Sequence, residues 1–286
     1  MTFALIAAEK AHHPVRTLCQ ALAVSPSGFY AWQQRPASRR TRTDRRLRLH
    51  LRAAHAASGG SYGSPRLHAA LREQGERLGR NRVIRLMRVE QLAGRPRKRF
   101  RVTTVTDPTQ TPAPNHLAQA FTTPRPNAVW AADITAIATA DGWLYLAVLL
   151  DLYSRRIVGW ATHATLDTSL VLAAWHRALR QRRCAPRLHH SDRGCQYTSV
   201  AYQRALARHH VRCSMSRRGN CYDNAVVESF FRTLKLDVGR HGQVTRDAAT
   251  RRIGEYIDGF YNTRRLHSTL GYRSPAQFER EQCPDA

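Results

Sequence analysis

Three acids stand in the strings Trp130-Ala-Ala-Asp133-Ile-Thr135, His190-Ser-Asp192-Arg-Gly194 and Ala225-Val-Val-Glu228-Ser-Phe-Phe231. Asp133 and Asp192 are separated by 58 residues, and Asp192 and Glu228 by 35. Carboxylates so far apart meet only if the fold brings two strands and a helix together. Such a cluster repels itself unless cations neutralise it, and an all-oxygen ligand set favours Mg²⁺ or Mn²⁺. A carboxylate-held pair of ions in a basic chain points to phosphodiester chemistry on nucleic acid.

The chain has 286 residues, enough for one large domain and one or two small ones. Its 46 Lys and Arg against 20 acids give +26, which implies a polyanionic partner. Residues 1–123 hold 22 basic and 6 acidic groups, or +16, and the remainder +10. The front of the chain therefore reads as the DNA-holding part. Six cysteines form no Cys-x-x-Cys pair, which suits reduced thiols. His209 and Cys213 have ligand-like spacing, but two further ligands are missing. Thr2–Ala8 is apolar but is cut short by Glu9 and Lys10, so it is neither signal peptide nor membrane span. The expected setting is the cytoplasm, in association with the nucleoid.

The elements that must position the acids follow from periodicity. Apolar residues at 15, 18, 19 and 22 predict a helix, and Ser25 and Pro26 cap and open a second one, as in a helix-turn-helix. Residues 37–57 form an Arg-rich helix or linker with Leu47, Leu51 and Ala54 on one stripe. A second helical pair covers Pro65–Glu73 and Asn81–Leu92, with Val83, Ile84 and Met87 inward. Arg82, Arg85 and Arg88 rim that last helix, as on a recognition helix. Arg95–Arg99 and the Thr/Pro-rich stretch 103–127 read as a linker. Strand-like runs follow at 128–137, 143–150 and 156–160, with Asp141-Gly142 turning between the first two. Then come helix 169–182, strand 187–190, helix 198–209, strand 212–215, a Gly219-Asn220 loop and helix 224–238. Three antiparallel strands and then alternating helix and strand are the order of an α/β, ribonuclease-H-like core with a mixed five-stranded sheet. The expected organisation is a helix-turn-helix-like region and basic helix over 1–57 and a second helical region over 58–102. A linker over 103–123 and the catalytic core with a helical extension over 124–286 complete it.

With these strings in place, the chain resembles the transposases of the insertion-sequence-3 family, in their second reading-frame product. The matching strings are Trp130–Thr135, Asp151–Trp160, His190–Ser199, Gly219–Ala225, Glu228–Lys235 and Tyr261–Tyr272, with Phe29–Trp32 and Ser61–Gly63 in the front region. The resemblance implies a catalytic core like that of retroviral integrase and an Asp-Asp-Glu triad of catalytic metal ligands at Asp133, Asp192 and Glu228. It also implies duplex DNA, as element ends and target, for a partner, together with homo-oligomers on DNA and the first-frame product of the same element. The expected chemistry is water attack followed by 3′-OH attack on phosphodiesters, with two Mg²⁺ or Mn²⁺ ions. Asp133 would bridge them, and Asp192 and Glu228 would each complete one ion.

Around the triad, Asn224, Arg232 and Lys235 share a helix face with Glu228, and Lys235 lies two turns beyond it. These three, with Arg264, His267, Arg82, Arg85 and Arg88, are the expected DNA contacts. Asp151 reads as fixing the turn at Arg155 or Arg156, Asp223 as a cap of the Glu228 helix, and His190 as orienting or structural. A DNA-binding regulator with a dead core is opposed by the intact triad. A ribonuclease H or structure-specific nuclease is opposed by the front helices, and a serine recombinase by the lack of a Ser-plus-Arg cluster. DNA binding by a fragment spanning residues 1–123 should weaken steeply as salt rises from about 50 to 200 mM, because phosphate contacts release counterions. An affinity flat over that range, measured by fluorescence anisotropy, would contradict this reading of the charge.

Overall fold

The computed structural model describes residues 2–94, 112–217, 221–238 and 244–282. Arg95–Arg99, residues 103–111 of the Thr/Pro-rich stretch and the Gly219-Asn220 loop lie outside the described residues. The chain divides into two compact units, residues 1–94 and 95–286.

In the first unit, helices α1 (Thr2–Glu9), α2 (Val15–Ala21) and α3 (Pro26–Gln34) close over Ile6, Cys19 and Phe29. Ser25 caps α3 as its position suggests, its hydroxyl accepting from the Gly28 N–H at 3.3 Å. The Arg-rich stretch is one helix, α4 (Arg39–Ala57), with Leu47, Leu51 and Ala54 buried. It packs on α5 (Ser64–Glu73) and α6 (Arg80–Val89), so it groups with the second helical pair and not with α2 and α3. On α6 the buried residues are Val83, Leu86 and Met87, and Ile84 is only half-buried. The 3.6-residue period places 83, 86 and 87 on one arc, and 84 at its margin.

The second unit is built on a sheet ordered β3-β2-β1-β4-β5. The strands are β1 (Val129–Thr139), β2 (Gly142–Asp151), β3 (Ile157–His163), β4 (Leu188–Ser191) and β5 (Arg212–Met215). β1, β2 and β3 are antiparallel, while β4 lies parallel to β1 and β5 parallel to β4. Gly142, at φ +98°, makes the β1–β2 turn where a side chain would be strained. α7 (Thr168–Arg182) begins at Asp167, whose carboxylate accepts from the Ser169 and Leu170 N–H groups. With α8 (Cys195–Thr198) and α9 (Val200–Ala207), it covers one sheet face through Trp175, Tyr197, Tyr202 and Leu206. Trp130 and Trp175 meet edge to face at 5.7 Å, both without solvent exposure.

The opposite face is covered by α10 (Ala225–Val238), α11 (Arg246–Gly254) and a π-helical turn, Glu255–Tyr261. Val227, Phe230, Phe231 and Leu234 of α10 are buried there, as the spacing predicts. The π turn was not legible in the sequence. It ends at Asn262, whose amide donates to the Ile157 carbonyl at 3.0 Å and accepts from its N–H at 2.9 Å. The chain closes with α12 (Pro275–Gln282).

The described part of the expected linker, residues 112–123, is docked on the core. Leu117 and Thr123 are buried, and Ala113 and Phe121 pack against the two apolar clusters. Among the described residues no helix is long and apolar enough to cross a membrane. Gly159 of β3 marks a close approach of sheet and helix, since a Cβ there would lie 2.4 Å from the Ala174 carbonyl of α7. Gly159→Ala should therefore destabilise the core by about 1–3 kcal/mol, as overpacking does. Urea denaturation of the two proteins checks this, and an unchanged midpoint would show that α7 can move away freely.

Candidate active site

The position of the first two acids follows from strand register. Ala131 of β1 pairs with His190 of β4 in parallel; Asp133 stands two residues further along β1, and Asp192 two residues further along the chain, just past the end of β4. Strand alternation puts Asp133 on the face that Ala131 presents to α10. Neighbouring strands run about 4.8 Å apart, and this place lies at the carboxyl end of β4, where open α/β sheets present ligand sites. β4 ends at Ser191, so Asp192 sits where the chain leaves the sheet. The Gly194 N–H donates to Asp192 Oδ1 at 3.0 Å, and a Cβ on Gly194 would come to 3.1 Å from that oxygen. A glycine here lets the backbone approach the carboxylate.

Glu228 occupies the first turn of α10, where an acid is favoured by the helix dipole. Arg232, one turn on, holds its negative charge against the burial that raises its pKa. Asp133 is half-buried and accepts from the Ile134 N–H at 2.8 Å. Burial and then the charge of Asp192 push Asp133 well above the usual carboxylate range. Glu228 adds to that push, and the Ile134 bond and Lys235 oppose it. Lys235 has an exposed side chain, yet surrounding protein lowers its pKa while Asp133 holds it up. Its strongest link at the site is therefore to Asp133.

These carboxylates lie within electrostatic reach of one another and disfavour one another's charge. Among the described residues no three His, Cys, Asp or Glu side chains converge as a ready-made cage. An oxygen-only donor set with unrelieved repulsion fits a hard divalent cation that keeps much of its water and takes one or two carboxylates, as Mg²⁺ does. Asp133, Asp192 and Glu228 would hold it.

The other expected site residues fall into different surroundings. Arg232 is half-buried beside Glu228. Asn224 is buried and donates to the Ala132 carbonyl at 3.0 Å, so it braces the backbone next to Asp133 and presents no surface to DNA. Arg264 is exposed, its Nε bonded to the Gly259 carbonyl at 2.8 Å. His267 stands edge-on to Tyr261 at 5.1 Å and its N–H donates to the Arg273 carbonyl. Arg88 is exposed, whereas Arg82 and Arg85 both pair with Asp44, at 2.8 and 2.5 Å. With Arg39, Arg40, Thr43 and Asn81 they line an open cleft of about 650 Å³.

His190 is structural. Ser214 Oγ accepts from the His116 and Leu117 N–H groups, which leaves its proton for His190 Nδ1 at 2.8 Å. Burial lowers His190 to about 4 and His189 to about 3, so both are neutral. Asp151 fixes the turn at Arg155 and Arg156 as expected: its backbone N–H donates to the Arg156 carbonyl and its carbonyl accepts from the Arg155 N–H. Its carboxylate accepts from the Tyr153 N–H, and also from Asn127 N and Arg182 Nη2. Asp223 is no helix cap but a buried acceptor for Arg217, Asn115 and Gln119. His209 packs on Trp175, and Cys213 accepts from Gln203. Tyr197 escaped the sequence reading. Its hydroxyl is buried without a hydrogen-bond partner, within reach of the charges of Asp133 and Asp192.

Residues 123–221 and 209–275 match two sequence families, both described as "Integrase core domain", and residues 42–100 match one described as "HTH-like domain". The chain is 43% identical over 263 residues to the "Insertion element IS600 uncharacterized 31 kDa protein" of Shigella sonnei, covering 91% of this chain and 97% of that one. It is 38% identical over 288 residues to "Transposase InsF for insertion sequence IS3A" of Escherichia coli K12, with 98% of each covered. Among solved structures, a simian T-cell lymphotropic virus intasome bound to a PP2A regulatory subunit aligns over 73% of this chain and 69% of its own. That alignment has 16% identity and a TM-score of 0.48. The HTLV-2 integrase catalytic core with magnesium aligns over 54% of this chain and 96% of its own, with 16% identity and a TM-score of 0.42.

A carboxyl whose pKa rises on folding keeps its proton in the native chain at pH values where the unfolded chain has lost it. Stability then falls as pH rises from the unfolded value, about 4, toward the native one. Asp133→Asn removes that loss. In EDTA the variant should unfold at the wild-type temperature near pH 4, within a few degrees, and at a higher temperature near pH 7.5. A temperature difference that does not change with pH would contradict the raised pKa.

Proposed function

The chain belongs to the insertion-sequence-3 family of transposases, and on that premise we propose how this transposase cuts and joins DNA. Asp133, Asp192 and Glu228 hold divalent cations, two Mg²⁺ or Mn²⁺ ions, against the scissile phosphate. The observation that carries this reading is that Asp133 on β1 and Asp192, just past the end of the parallel neighbour β4, each follow the paired residues Ala131 and His190 by two, on a sheet whose face is covered by the helix that bears Glu228. Bound cations neutralise the attacking and leaving oxygens of an in-line displacement and make water nucleophilic near neutral pH. Water attack leaves a free 3′-OH, and that hydroxyl then attacks a second phosphodiester, without a covalent protein–DNA intermediate.

The chain's own residues do the rest. Asn224 fixes the Ala132 carbonyl, and with it the backbone that aims Asp133. Arg232 favours the charged form of Glu228 against the burial that raises its pKa, and Lys235, within reach of Asp133, positions a phosphate over the acids. In the first unit the cleft of Arg39, Arg40, Thr43, Asn81, Arg82 and Arg85 receives the DNA backbone. Asp44 splays Arg82 and Arg85 along that cleft and neutralises only part of its charge. Arg88, Arg264 and His267 add contacts to duplex DNA, at element ends and target. The protein acts in the cytoplasm, at the nucleoid, as a homo-oligomer on DNA and with the first-frame product of its element.

Asp192→Asn should abolish nicking and joining of end-containing DNA in Mg²⁺ while leaving DNA binding intact or tighter. It removes one ligand charge and one charge that repels phosphate. Residual joining at even a few per cent of wild type would take Asp192 out of the triad. Lys235→Ala should weaken end binding and slow cleavage by about 1–3 kcal/mol, as loss of a charge-assisted hydrogen bond does, and leave folding intact. Lys235→Arg should keep part of the activity, since its charge survives. Wild-type rates for Lys235→Ala under limiting DNA would make the lysine an ordinary surface residue.

A further inference from the structure

One buried carboxylate outside the triad gathers donors from two separate segments of the core, residues 115–119 and Arg217. Asp223 is fully buried. Its Oδ1 accepts from Arg217 Nη2 at 2.9 Å and Gln119 Nε2 at 3.0 Å. Its Oδ2 accepts from the Arg217 N–H at 2.8 Å, Arg217 Nε at 3.1 Å and Asn115 Nδ2 at 2.9 Å. Each set of donors leads to a catalytic acid or to the segment that enters the core. Arg217 follows Ser216, whose N–H is bonded to the Ser191 carbonyl at 2.9 Å, beside Asp192. Asn224, the next residue after Asp223, is bonded to Ala132, beside Asp133. The first turn of α10, with Glu228, follows at once.

Residues 112–121 are shaped to serve this carboxylate. Leu117 is buried, and Ser214 takes the His116 and Leu117 N–H groups. Asn115 works in both directions, its oxygen accepting from the Ala118 N–H at 2.9 Å while its nitrogen donates to Asp223. Ala118 and Gln119 then take φ values of +46° and +63°, a left-handed pair of non-glycine residues. Such backbone is sparsely populated and persists where surrounding contacts over-determine it. Here those contacts aim the Gln119 amide at Asp223.

We propose that Asp223 is a positioning residue that clamps residues 115–119 to the start of α10 and so sets Glu228 at the distance from Asp133 and Asp192 that a divalent cation needs. This rests on the acid-triad reading given above. The clamp works by charge, so substitutions at Gln119, an exposed residue distant in sequence from all three acids, should rank by the sign of their charge and not by their size.

The test is the Mg²⁺ concentration that half-saturates two responses of the full-length protein: the rise in its unfolding temperature with Mg²⁺ alone, and the joining of DNA carrying the element's own ends. Gln119→Glu sets an acid against Asp223 and should raise that concentration about 10- to 100-fold, the range seen when outer partners of metal ligands are lost. Gln119→Ala should fall between it and wild type. Gln119→Lys, which still donates, should stay near wild type, and excess Mg²⁺ should restore joining to Gln119→Glu. Wild-type midpoints for Gln119→Glu, or an order that follows side-chain size, would overturn the proposal. Should Gln119→Glu fail to fold, the Asn115→Ala/Gln119→Ala double variant decides: a raised midpoint supports the clamp and an unchanged one overturns it. Glu228→Gln separates the two readings. If it loses the Mg²⁺ response while Gln119→Glu keeps it, only the clamp fails; if Glu228→Gln keeps the response, the triad reading fails and the clamp with it.

Discussion

Carboxylates that disfavour one another's charge are held within electrostatic reach in this core, and the parallel pairing of β1 with β4 brings the first two of them together. That pairing sets Asp133 two residues past Ala131 and Asp192 two past His190, and leaves only Glu228 to be delivered from another element. The remaining architecture protects the pairing. α7 and α9 seal one face of the sheet through Trp175 and Tyr202, and α10 seals the other through Val227, Phe230 and Leu234. Burial of these side chains, at about 1.5–3 kcal/mol each, offsets the electrostatic strain that the acids impose.

Polar contacts do a second kind of work. Asp151, without solvent exposure, meets Arg182 at 3.0 Å, and Arg182 also reaches Glu279 of α12 at 2.5 Å. Glu279 in turn bonds Ser154 and Arg156 in the turn between β2 and β3. A buried network of this kind adds little net stability over an apolar core, but removal of one partner costs about 3–5 kcal/mol. Its effect is to make the last described helix part of the catalytic sheet. Asn262 acts similarly at the start of β3, pairing both backbone groups of Ile157 where a further strand would otherwise be needed.

The strands, most helices and the three acids were legible in the sequence because they rest on short periods. Alternation marks β1 and β2, the spacing of Val227, Phe230, Phe231 and Leu234 marks α10, and Asp141-Gly142 marks a turn. Asp223 and Asp151 were legible as structural acids, but their partners were not. Asn115 and Gln119 lie more than 100 residues from Asp223, and no local pattern announces such a bond. For the same reason residues 112–123 read as a linker, since proline and threonine hide a segment that packs through Leu117 and a few amides. Its helical face, shared with Glu228, marks Asn224 as a DNA contact. A helix start pressed against β1 reverses that expectation.

β5 is a four-residue margin of the sheet, and margins of this kind invite a strand from another molecule. Here the Met215 N–H points to the Pro114 carbonyl at 3.5 Å, and Ser214 is occupied by His116 and Leu117. A neighbouring copy could extend the sheet at β5 only by peeling away residues 114–119, which include the Asn115 and Gln119 that bond Asp223. Strand exchange at this margin would thus carry its own cost, because any aggregate grown there would consist of molecules whose buried Asp223 carboxylate had lost two of its donors.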